Sequence, residues 1–148
     1  MTSESSSELS LLSDYPEELL SAICGLGCLF TELGYFAKAE KIFDALAFLQ
    51  GAEPPVADLP IALCRGILKL EMGAYGEALE ALREVDARSR DHIPALVATS
   101  VSLVATGEIE RAREILLQIK RDIIGVRNII SHEQRKLIEA LVLRCGEL

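Results

Sequence analysis

Tryptophan is absent from this chain of 148 residues, and the other large rings amount to four Phe and three Tyr. An interior with few large rings has to be filled mainly by aliphatic and small side chains. Half of the residues are hydrophobic, so a sizeable core is available, and Ala and Leu carry its packing. Positive charge is also scarce, with 15 Lys and Arg against 23 Asp and Glu, a net charge of −8. That balance argues against a nucleic-acid partner, which needs a basic stripe for the phosphates. It argues equally against docking on anionic membrane surfaces. No apolar run approaches the roughly 18 residues of a membrane helix, so no membrane insertion is expected. Residues 1–8 are Ser- and Glu-rich and lack the basic region and apolar stretch of a signal peptide. A cytoplasmic protein is expected, with a flexible polar N-terminus over 1–13 and one domain over 14–148.

Catalytic and metal signatures are missing as well. Of the four cysteines, Cys24 and Cys28 stand four apart, and Cys64 and Cys145 are distant. No CxxC pair or Cys/His cluster has zinc spacing, and His92 and His132 are isolated. The expectation is reduced, buried thiols acting as small hydrophobes, with no metal and no cofactor. Gly25-Leu26-Gly27 lacks the third glycine of a phosphate loop and falls inside a predicted helix. No Ser lies in a nucleophile elbow. Glu17-Glu18 and the pair Glu108 and Glu110 read as solvated helix starts. Arg111, Arg113, Lys120, Arg121 and Arg127 are interleaved with Glu110, Glu114 and Asp122, as on a salt-bridged surface. No enzyme is expected.

What the chain does have is a repeat. Gly27-x6-Gly34-x-Phe36-x2-Ala39 is followed by Gly66-x6-Gly73-x-Tyr75-x2-Ala78 and by Ser100-x6-Gly107-x-Ile109-x2-Ala112. Gly73 and Gly107 are 34 residues apart; Gly34 and Gly73 are 39 apart, with the extra five in the loop 51–55. The register resembles the tetratricopeptide pattern, a helix, a tight turn and a second helix per repeat. Two mid-helix glycines in register imply close helix contact, because each costs roughly 1 kcal/mol against Ala. Gly34, Gly73 and Gly107 stand where a helix ends in a positive φ. Phe36, Tyr75 and Ile109 open the second helices, and Ala39, Ala78 and Ala112 are small where the first helix crosses them.

The expected fold is therefore all-α, a tetratricopeptide-repeat solenoid of three helix pairs plus a C-terminal capping helix. Repeats fall at about 20–53, 59–92 and 93–126. The first helix is expected to start at Asp14-Tyr15-Pro16 and end near Leu33. Asp58 and Pro60 should start the third helix, and Asp91 and Pro94 the fifth. Ser131 and Gln134 form a predicted capping box for a last helix over 132–145. That helix carries Leu137, Ile138, Leu141, Val142 and Cys145 on one stripe, suited to covering the end of a solenoid.

In such a stack the first helix of each pair lines the concave side. The positions expected to be exposed there lie three before the small residue, and one and four after it. They are Cys24, Cys28 and Thr31; Leu63, Ile67 and Leu70; Val97, Val101 and Val104. Eight of these nine are apolar and none is Lys, Arg or Asn, so a clamp for a peptide carboxylate is not expected. An apolar groove suits a hydrophobic peptide or an amphipathic helix.

The first repeat adds a narrower likeness. Ala39-x2-Ile42-Phe43-x-Ala45-Leu46 resembles the first repeat of the tetratricopeptide chaperones of bacterial type III secretion. The segment Leu59-Pro60-Ile61-Ala62-Leu63-Cys64 is similar to one in the needle-subunit chaperones of those systems. The resemblance implies a cytosolic bacterial chaperone that holds a secreted helical subunit, needle or translocator, and prevents its premature assembly. It leaves open a second small co-chaperone and a homodimer. The translocator group usually has a dimerising N-terminal helix, where this chain is short and Ser-rich; the needle chaperones are shorter than this chain. A scaffold or adaptor without a secreted client is the alternative.

Overall fold

The computed structural model describes residues 17–50, 59–123 and 131–146. Among them are seven helices and no strand: α1 Glu17–Glu32, α2 Phe36–Gln50, α3 Ile61–Glu71, α4 Tyr75–Arg83, α5 His92–Ala105, α6 Ile109–Ile123 and α7 His132–Cys145. The predicted helix start at 14–16, the loops around Pro54 and 125–130, Arg127 and the cap at Asp58 lie outside the described residues.

The repeat is built by one hydrogen-bonding device used three times. After α1, the Gly34 N–H donates to the Thr31 carbonyl and the Tyr35 N–H to the Phe30 carbonyl. After α3, Gly73 donates to Leu70 and Ala74 to Lys69; after α5, Gly107 donates to Val104 and Glu108 to Leu103. This is the Schellman pattern, which satisfies the last carbonyls of a helix if one residue turns left-handed. Gly34, Gly73 and Gly107 have φ of 82°, 75° and 80°. The second helix then begins at once, with Ala39, Ala78 and Ala112 donating to the carbonyls of Tyr35, Ala74 and Glu108.

The chain forms two compact units, one ending at Cys64 and one beginning at Arg65. In the first, α1 packs on α2. α1 buries Leu20, Cys24, Gly27 and Thr31, and α2 buries Ala39, Phe43 and Leu46. Both sets have the 3-4 spacing of a helix face. Gly27 is small because Phe43 lies over it: a Cβ there would stand 2.7 Å from the Phe43 Cε1.

In the second unit, Gly66 and Leu82 meet in the same way, with a Cβ on Gly66 only 2.5 Å from the Leu82 Cγ. Ala78 and Ala112, like Ala39, are 0 % exposed. The core gathers Val97, Leu103, Ala112, Leu116, Ile119, Leu141 and Cys145. Burying each large aliphatic side chain contributes about 1.5–3 kcal/mol. Ser100 and Ser102 are buried beside them, and their hydroxyls donate to the carbonyls of Leu96 and Ala98 one turn earlier. They therefore sit in the core without an unmet donor.

α7 packs on α5 and α6. The capping box is present: the Gln134 N–H donates to the Ser131 Oγ at 3.1 Å, and the Ser131 N–H to the Gln134 Oε1 at 3.1 Å. Its far end is held by Arg113 of α6, whose guanidinium donates to the Cys145 carbonyl, one of the carbonyls a helix end leaves unpaired.

Three sequence expectations are corrected here. Leu137 is exposed, because it stands at the edge of the stripe whose centre is Leu141 and Cys145. Pro60 precedes α3 instead of lying in its first turn; its carbonyl accepts from the Cys64 N–H, which makes it the N-terminal flanking residue. Asp91 does not cap α5 with its side chain. Its backbone, at φ −82° and ψ −6°, is not the extended form that turns a cap back on the helix, and Pro94, the third helical residue, has no N–H to donate to the side chain.

Candidate partner-binding surface and a three-thiol cluster

A helix advances about 100° per residue. Residues three before and four after a packed small residue therefore lie only about 60° and 40° from it around the axis, whereas the next residue lies about 100° away. That geometry places Cys24, Leu63, Val97 and Thr31 on the packed side. Cys24, Leu63 and Val97, each three before the small residue, are buried, as is Thr31. Cys28, Ile67 and Val101, each one after it, are partly buried, as are Leu70 and Val104. The expectation that all nine are exposed is thus wrong for four of them. Cys24 and Thr31 share the face of α1 that packs on α2. Thr31 further turns its hydroxyl onto the Gly27 carbonyl at 3.0 Å. Cys24, Cys28, Thr31 and Leu63 belong to the first unit; the other five belong to the second.

The other side of α1 was not anticipated. Leu19, Leu26, Leu29 and Leu33 are 44–59 % exposed, and Ala22 between them is exposed too. The spacing 19, 22, 26, 29, 33 is an alternation of three and four that forms one continuous ridge, roughly opposite Leu20, Cys24, Gly27 and Thr31. The signal was legible: α1 is apolar on two faces, and one helix neighbour can cover only one of them. At the end of this ridge Tyr35 meets Phe30 edge to face at 6.1 Å, and the Lys38 ammonium lies 5.2 Å and 5.6 Å from the Tyr35 and Phe30 ring centres.

The structure also assembles what the linear spacing kept apart. The Cys64 Sγ lies 3.9 Å from that of Cys24 and 3.6 Å from that of Cys28. All three sulfurs fall within 4.8 Å of one another, and all four cysteines are free thiols. Cys28 is held far below the usual thiol range, first by a hydrogen bond with Cys24 and then by one with Cys64. Cys64 is pushed up by its hydrogen bonds with Cys24 and Cys28 and by burial.

Elsewhere charged side chains pair within and between helices. Arg111 pairs with Glu108 at 2.7 Å, and Arg113 with Glu110 at 3.5 Å, each one turn apart. The hydrogen bond from Arg111 lowers the Glu108 carboxyl pKa. His92 Nε2 and Asp122 Oδ2 lie 3.4 Å apart, tying α5 to α6 beside an open surface pocket that Arg88 and Arg90 also line.

The tetratricopeptide-repeat family profile matches residues 69–123, from the end of α3 through α6. The fold is a tetratricopeptide repeat. The first repeat lies outside the matched stretch, yet its Schellman turn, its buried Ala39 and its Gly27–Phe43 contact reproduce those of the tetratricopeptide repeats that follow. No curated protein and no solved structure matches the chain. Folds of this class mediate protein–protein interaction, and α1 leaves an apolar ridge exposed. Among the described residues no helix is long and apolar enough to cross a membrane.

Proposed function

We propose that this tetratricopeptide protein is a non-catalytic cytoplasmic chaperone of bacterial type III secretion. It shields an amphipathic or hydrophobic helix of a secreted needle or translocator subunit until export. The observation that carries the reading is the α1 ridge, in which Leu19, Ala22, Leu26, Leu29 and, just past the helix, Leu33 follow one another in 3-4 spacing and are open to water. A helix meant for self-assembly carries a matching apolar stripe and polymerises or aggregates when free. Covering that stripe removes apolar area from water at roughly 25 cal/mol per Å², less the cost of ordering the client. No nucleotide or catalytic group is required. The likeness of residues 39–46 and 59–64 to the secretion chaperones supports the client class. The partly buried Ile67, Leu70, Val101 and Val104 supply further apolar surface in the second unit.

The test is purification from the native cell, followed by identification of the bound protein and calorimetry with the purified pair. The expected partner is an exported subunit whose apolar helix is protected in the complex. Leu26→Glu with Leu29→Glu should abolish the complex and leave the helical signal intact. A partner that is never exported would replace the chaperone by a general adaptor. Full affinity in the folded double variant would remove the α1 ridge from the interface.

A further inference from the structure

We propose that Cys24, Cys28 and Cys64 form a binding site for one thiophilic d10 cation of the zinc class. The donors come from two helices. Cys24 and Cys28 are one turn apart on α1 and so present their sulfurs on the same side. Cys64 reaches them from the first turn of α3, forty residues beyond Cys24. The three belong to the same compact unit.

Three features of the cluster fit a metal better than packing alone. The first is distance. Zinc–thiolate bonds of about 2.3 Å in a tetrahedron place the sulfurs about 3.8 Å apart. The two separations to Cys64 are 3.6 Å and 3.9 Å, and the third lies within 4.8 Å. Closing the site takes a shift of at most about 1 Å in the third separation. The second is donor type. Among the described residues the group holds three sulfurs and no imidazole or carboxylate, a soft set that selects zinc-like or cuprous ions over magnesium or calcium. The third is access. Cys24 and Cys64 are buried while Cys28 is partly exposed, so an ion has an entry side. Metal binding would also fasten α1 to the start of α3. Cys24 and Cys28 stand on the side of α1 away from the leucine ridge, so the site stands or falls independently of the chaperone reading.

The experiment titrates Cd2+ into the full, reduced chain under anaerobic conditions and follows the near-ultraviolet thiolate-to-metal charge-transfer band. The band should saturate at one equivalent and be reversed by excess EDTA. Cys145→Ser should behave as wild type, because Cys145 belongs to the second unit. Cys28→Ser and Cys64→Ser should each lose more than about tenfold in affinity, in line with the sensitivity of metal sites to ligand changes. Cys28 is the member least involved in packing, so its serine variant reports on binding even if the Cys64 variant fails to fold. Absence of a band at stoichiometric Cd2+ would overturn the proposal. A folded Cys28→Ser protein with unchanged affinity would do so as well.

Discussion

Gly25 and Gly66 are both helical glycines, yet one added methyl group should act on them in opposite directions. Nothing lies within 4 Å of a Cβ on Gly25, whereas a Cβ on Gly66 runs into the branch point of buried Leu82. Gly25→Ala should raise stability by about 0.5–1 kcal/mol, through helix propensity alone. Gly66→Ala gains the same propensity but overpacks the crossing, and a net loss of about 1–2 kcal/mol is expected. Denaturation midpoints of the two variants check both signs in one experiment. Ala78 is the same device seen from the partner helix. It is fully buried, so Ala78→Leu should destabilise by roughly 1–3 kcal/mol, and an unchanged midpoint would mean the crossing is elsewhere.

Among the helices, α7 is the one whose removal tests the architecture. It contributes Leu141 and Cys145 to a core that otherwise comes from α5 and α6, and it receives a guanidinium from α6 at its end. Deleting residues 131–148 would open Leu116, Ile119 and Val97 to water. The truncated chain should aggregate or lose its cooperative melt, as terminal repeats do without a polar outer layer. A finer probe is Ser131→Ala, which breaks the capping box without touching the core. The expected cost is about 0.5–2 kcal/mol, read as a lower melting temperature with fraying of α7 in amide exchange. Truncation that left a soluble, cooperative protein with weakened client affinity would instead make α7 a binding arm.

At the scale of the whole molecule, the open question for binding is which apolar residues are surface and which are core. Leu63→Glu places a charge on a side chain only 9 % exposed, and it should cost roughly 2–4 kcal/mol of stability. Leu29→Glu, on a side chain 47 % exposed, should leave the melt unchanged and act on partner affinity alone. Measuring melting and binding on both variants separates the two roles. The chain's net charge of −8 makes a further point. If apolar burial drives association, affinity should hold or rise between 0.1 and 1 M salt, because screening weakens only charge pairs. A steep fall over that range would point to an electrostatic interface.

Much of this protein could be read before folding, because its repeat is local. The Gly-x-hydrophobic-x2-Ala register names the turn, the start of the second helix and the crossing within one span, and each depends on neighbours a few residues away. The capping box at Ser131 and Gln134 was legible for the same reason. Asp91 shows the limit of that logic, since a cap residue acts only if its backbone is extended, and that angle is set by the chain on both sides. The binding surface was less legible. Position relative to Gly27 suggested exposure for Cys24 and Thr31, but the same angular nearness to the packed glycine turns both inward. The Leu19 to Leu33 ridge needed knowledge of which of two apolar faces finds a neighbour. The thiol cluster was invisible to spacing rules, because its members come from separate helices. The sequence by itself determined the helices and their turns, through hydrogen bonds and steric limits that reach only a few residues. The tertiary structure alone decided which faces are buried and which sulfurs meet, since those depend on packing between segments distant in the chain.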